Sequence, residues 1–174
     1  MRRAALIPLL LMPVVATAQV PDLKLVAEDF DRSRQAVMNY LDAAPDSMLT
    51  YRPTPGVRTF AEQIDHLSLS AVFIGGFALT GERPGPEFIG DTARTLHDKA
   101  ALREIVNKRL EHLVGLIRAA NPQQLVDEVE IIRGVRRPKW NYLQLALTHN
   151  AWHLAQTVPY LRLNGVTPPA YLAF

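Results

Sequence analysis

Four stretches of about twenty residues, each closed by proline or glycine, dominate the chain and restrict what it can fold into. In the first, about residues 22–44, Leu23, Val26, Phe30, Val37, Tyr40 and Leu41 recur at helical spacings with charges between them, and Pro45 ends the run. The second begins at Thr59, where Thr59-x-x-Glu62 fits a capping box, and passes through Ile64, Leu67, Phe73 and Ile74 to Gly81. Gly75 and Gly76 either weaken its later part or let a neighbouring helix approach closely. The third covers about residues 99–120, with Asp98 as its cap and Asn121-Pro122 as its stop. The last covers about residues 140–163. Asn164-Gly165 gives it a left-handed cap, Pro168-Pro169 prevents continuation, and Pro159 is expected to kink it near Ala155.

Between these helices lie two proline- and glycine-rich loops, residues 46–57 and 82–90, and a segment at residues 125–138 that reads as a small hairpin or an extended loop. The expected fold class is all-α, a four-helix bundle with long interhelical loops whose helix order the pattern leaves open. At 174 residues and 48% hydrophobic content the chain suits one domain with a real core. It has no cysteine, which excludes disulfides, thiolate metal ligands and a catalytic thiol.

The N-terminus has the layout of a secretory signal. Arg2 and Arg3 precede an apolar run from Ala4 to Val15, and Ala16-Thr17-Ala18 is a small-x-small cleavage pattern. The run is short of the roughly 20 apolar residues of a spanning helix. Residues 1–18 are therefore expected to be a signal peptide. Residues 19–174 are expected to form the exported domain, in a bacterial periplasm or outside the cell, with no stable membrane insertion after processing. The same reading explains the pI of about 9.1. Without Arg2 and Arg3, the 19 basic residues become 17, matching the 17 acidic ones. Nucleic-acid binding is not expected of a charge-balanced chain whose one dense basic cluster, Arg133, Arg136, Arg137 and Lys139, reads as solvated surface.

Five histidines carry the chemical interest. His149 and His153 are four apart on the last helix, so both imidazoles lie on one face, within reach of a single metal ion. They share that face with Leu145 or Ala146, Gln156 and Tyr160, which points them toward the bundle interior. His66, set among Ile64, Leu67 and Leu69, is the best third ligand, because an uncommitted imidazole is costly there; the alternative is a core histidine satisfied by hydrogen bonds. His97 reads as a loop or cap residue, and His112, beside Lys108, Arg109 and Glu111, as outward-facing. Glu62, one turn before His66, is either the closing half of the capping box or a proton acceptor beside a metal. Asp65 is expected in solvent, and Trp152 in packing. Gln156 and Tyr160 are candidates for contacting a ligand or supporting the metal ligands.

The segment His149-Asn-Ala-Trp-His153-Leu-Ala-Gln-Thr-Val-Pro-Tyr, continuing to Tyr171, resembles the C-terminal signature of DinB/YfiT-like proteins. Thr59-Phe-Ala-Glu62-Gln-Ile-Asp-His66-Leu resembles the second-helix motif of the same family. The resemblance implies a bundle in which His66, His149 and His153 bind a divalent metal, commonly zinc or nickel. Characterised relatives include transferases and isomerases that use low-molecular-weight thiols such as bacillithiol or mycothiol. Two features depart from the pattern. Leu154-Ala155 stands where members often carry Arg-Gly, and an exported chain is separated from cytosolic thiols.

The resulting expectation is a metal-dependent hydrolase or transferase acting on a small molecule, with His66, His149 and His153 as ligands and Glu62 as the catalytic acceptor. The alternatives are a bundle that binds a metal or small ligand without catalysis, and one with a vestigial site. A homodimer through helix faces is implied by resemblance alone.

Overall fold

A computed structural model of the chain describes residues 20–172. The signal peptide expected over residues 1–18 lies outside them. Four long helical runs appear where the periodicity puts them: α1 (Leu23–Ala43), α2 (Phe60–Ala71) continuing through a π-helical segment (Val72–Gly76) into α3 (Phe77–Thr80), α6 (Lys99–Ala119) and α7 (Lys139–Gln156). Two single-turn helices, α4 (Pro86–Ile89) and α5 (Thr92–Thr95), sit in the second connection, and α8 (Val158–Leu163) follows α7.

The ends of these helices are set by side chains close in sequence. Asp98 accepts from the amides of Ala100 and Ala101 at 2.9 and 3.1 Å, starting α6. At α2 both halves of the capping box are present: Thr59 Oγ1 accepts from the Glu62 amide at 3.2 Å, and Glu62 Oε2 from the Thr59 amide at 2.6 Å. Gly165 adopts the left-handed conformation (φ 73°) just beyond α8.

Pro159 does more than kink the last helix. The helix ends at Gln156, and α8 starts at Val158 with the proline in its first turn. A prolyl nitrogen cannot donate, so it is tolerated only at such a start. The buried Thr157 bridges the break, donating from Oγ1 to the Leu154 carbonyl at 2.7 Å.

Helix α1 packs against α6 and α7, and α2 packs against the same two, which places α1 and α2 at opposite corners of the bundle. The first and third connections cross those diagonals, which accounts for their length. The third contains a hairpin, β1 (Glu128–Ile132) and β2 (Val135–Pro138), antiparallel around Gly134. Tyr142 Oη donates to the Val135 carbonyl at 2.8 Å and ties the hairpin to α7. The three arginines of the basic cluster lie on this hairpin and are exposed, and Lys139, half-buried, opens α7.

The core is formed by Phe30, Val37 and Leu41 of α1, Phe60, Ile64 and Leu67 of α2, Leu102, Leu110, Leu113 and Ile117 of α6, and Leu143 and Ala146 of α7. Gly75 is required by close approach: a Cβ there would lie 3.1 Å from Leu113 and 3.5 Å from Leu143. Phe73, within the π segment, is exposed, and Arg83 lies 5.4 Å from its ring centroid. Among the described residues, no helix is long and apolar enough to cross a membrane.

Three expectations about individual residues are corrected. Trp152 is 69% exposed rather than packed. It belongs to an outward stripe with Leu145 and Thr148, at spacings of three and four, while the histidines occupy the inward one. Asp65 is not left to solvent, because its Oδ1 accepts from Arg109 Nη1 at 2.6 Å. Arg109, which in sequence reads only as one of the charges around His112, is fully buried. It also donates to Ser68 Oγ and to the carbonyls of Phe88 and Ile89, binding α2, α4 and α6 together.

Candidate metal centre

Helix α2 carries Gln63 and His66 three residues apart, and α7 carries His149, His153 and Gln156 at intervals of four and three. Since α2 packs directly on α7, these two faces meet. The ring centroids of His66, His149 and His153 lie 4.4 to 5.1 Å apart. One ring nitrogen from each comes within 4.8 Å of the others, a spacing that can hold one metal ion. Their setting is fixed by the buried neighbours Ile64 and Leu67 on α2 and Ala146 on α7.

His153 Nδ1 lies 2.9 Å from Gln63 Oε1. An amide oxygen only accepts, so the imidazole donates from Nδ1 and keeps the lone pair on Nε2. Gln63 Nε2 in turn donates to Gln156 Oε1 at 2.9 Å, which determines which way the Gln63 amide faces. Gln63 is 3% exposed and both ends of its amide are used. Sequence reasoning missed it, although it lies one helical turn before His66. Gln156 supports the histidines as expected, through Gln63. Tyr160 serves the fold instead. Its hydroxyl donates to the Arg58 carbonyl at 2.7 Å, anchoring the segment that leads into α2.

All three imidazoles favour the neutral form. Burial pushes His153 down to about 4, helped by the charges that His149, His66 and Arg58 would present. Burial also lowers His66, followed by the Arg58 guanidinium and His149, with Asp65 opposing; His149 is lowered by burial and then by Arg58. Neutral imidazoles are the form that ligates a metal. In addition, His149 Nδ1 is buried with no hydrogen-bond partner among the described residues. Three clustered neutral imidazoles, one of them with a buried nitrogen left unsatisfied, suit a borderline divalent ion such as zinc or nickel.

His97 and His112 stay outside this cluster. His97 is exposed before the Asp98 cap, and His112 faces outward against Phe88, with ring centroids 4.4 Å apart. Glu62 is engaged by the Thr59 amide and lies 3.6 Å from Arg52, so the helix-capping half of its expected role is the one present. Among the described residues, no carboxylate joins the three histidines.

Fold and site together define a helical bundle with a three-histidine cluster set between two of its helices. The sequence profile of the DinB superfamily matches residues 29–157, and the chain belongs to that superfamily. Two solved structures are similar in fold. A DinB-like protein from Bacillus subtilis gives a TM-score of 0.69 at 18% identity, over 84% of this chain and 96% of that one. Another from Bacillus cereus ATCC 10987 gives 0.69 at 16% identity, over 86% and 97%. No protein of curated function matches the chain.

Proposed function

We infer that the chain is an exported metal-dependent enzyme, a hydrolase or transferase acting on a small molecule. The observation that carries this reading is the convergence of one ring nitrogen each from His66, His149 and His153 to within 4.8 Å, joined by no fourth His, Cys, Asp or Glu among the described residues. Three protein ligands are the pattern of catalytic sites, whereas structural sites close the fourth position. Zinc or nickel is the ion this donor set suits, and when bound it would supply Lewis acidity toward an oxygen or sulfur of the substrate.

The chain's own residues would prepare that chemistry. Burial keeps the three imidazoles unprotonated, Gln63 holds the His153 tautomer, and Gln156 orients Gln63. Glu62 borders the same cleft as Gln63, but its first commitment is to the start of α2. Export rests on the layout of residues 1–18, and N-terminal sequencing of protein recovered outside the cytoplasm tests it. Light scattering tests the homodimer.

Elemental analysis of purified protein tests the centre itself. About one divalent ion per chain is expected in the wild type, with loss in His66→Ala, His149→Ala and His153→Ala. Metal retained in all three folded variants would remove the site.

A further inference from the structure

Beside the histidine cluster, between the start of α2 and the loop that precedes it, lies a cleft of about 500 Å³. Arg52, Arg58, Glu62, Gln63 and Gln156 line it. Its inner wall is the Gln63–Gln156 pair, and Gln63 is bonded to His153, so one side chain separates the cleft from a histidine of the cluster.

The charges in this cleft do not cancel. Glu62 lies 3.6 Å from Arg52, and that pair is balanced. Arg58 is different. Its backbone carbonyl is held by Tyr160, while its guanidinium has no acceptor among the described residues. The amides at the start of α2 are taken: those of Phe60 and Ala61 bond the carbonyls of Tyr51 and Leu49, and that of Glu62 bonds Thr59 Oγ1. Arg58 therefore offers this wall a guanidinium with no acceptor of its own among the described residues. Its charge also reaches all three imidazoles, which puts a cation beside a cluster suited to bind another. Like charges repel, and an anion held by Arg58 would offset that repulsion for a metal at the cluster. The guanidinium fork matches the two oxygens of a carboxylate or phosphoryl group.

We propose that this cleft binds the anionic group of a small substrate, a carboxylate or phosphoryl group, with Arg58 as the residue that recognises it. The remainder of the molecule passes Gln63 toward the histidines. That direction rests on the metalloenzyme reading; the anion site does not.

The probes are inorganic phosphate and acetate, titrated calorimetrically into the full chain as purified and again after chelation, at low salt. In the chelated protein, Arg58→Gln should weaken binding of the preferred anion at least tenfold and Arg58→Lys by less. Arg118→Gln, which removes the same charge from an exposed position on α6, should change it less than twofold. Equal binding by wild type and Arg58→Gln overturns the proposal. So does an equal loss in Arg118→Gln, which would trace binding to net charge, and so does a chelated wild type that binds neither anion. Metal content measured on the same samples judges the histidine centre separately. A metal-free wild type with intact Arg58-dependent binding would sink the metalloenzyme reading and leave the anion site standing.

Discussion

Replacing Gln63 by leucine tests whether the centre depends on a residue that holds no metal. The substitution removes the acceptor 2.9 Å from His153 Nδ1 and the donor 2.9 Å from Gln156 Oε1, while placing an apolar side chain of similar size at a buried position. Without the acceptor, the His153 proton can move to Nε2, the nitrogen required for ligation, and the ring is free to rotate. Partners of this kind typically contribute 10- to 100-fold in metal affinity, so the expected loss is about 1.4 to 2.8 kcal/mol. Competition with a chromogenic chelator at neutral pH reads it directly, with circular dichroism confirming that the variant is folded. Gln63→Glu separates the two lost contacts: it restores a stronger acceptor for Nδ1 but gives up the donor to Gln156. Its affinity should stay at or above that of the wild type. If folded Gln63→Leu binds zinc within twofold of the wild type, the argument from tautomer control is wrong.

Other consequences can be measured on the same protein. The metal-free form should lose stability with acid. His153 sits at about 4 when folded against an ordinary 6.5, so the unfolded chain takes up protons first. Its contribution is complete above about pH 6.5 and drains away as pH falls toward 4; melting temperatures across that range check it, and His153→Gln should flatten the slope. Metal release should likewise be centred below pH 6.5. Arg109→Met strands the Asp65 carboxylate and removes donors from the Phe88 and Ile89 carbonyls, for an expected loss of about 3–5 kcal/mol in urea denaturation. A loss below 1 kcal/mol would refute a structural role for that buried ion pair. Gly75→Val forces atoms into the space held by Leu113 and Leu143 and should cost about 1–3 kcal/mol by the same assay. An unchanged midpoint would show that the π-helical segment does not approach Leu113 of α6 as closely as 3.1 Å implies.

The helices, their caps and the histidine set were legible in the amino-acid order because each depends on residues within one or two turns. Apolar spacing marked out α1, α2, α6 and α7, and Thr59 with Glu62 marked the start of α2. His149 and His153 must share a face at a separation of four on any helix. The hairpin was one of two readings of its segment; the pairing of Glu128 with Pro138 and the turn at Gly134 decide between them.

What the chain alone left undecided depends on rotation and contact between helices, which the whole core sets at once. Packing α2 on α7 rather than α1 brings His66 to the pair on α7 and puts Gln63 against His153. That orientation of α7 leaves Trp152 in solvent, and the packing of α2 on α6 draws Arg109 inward to Asp65. A 3.6-residue period states which side chains share a face; only the assembled bundle states what that face meets.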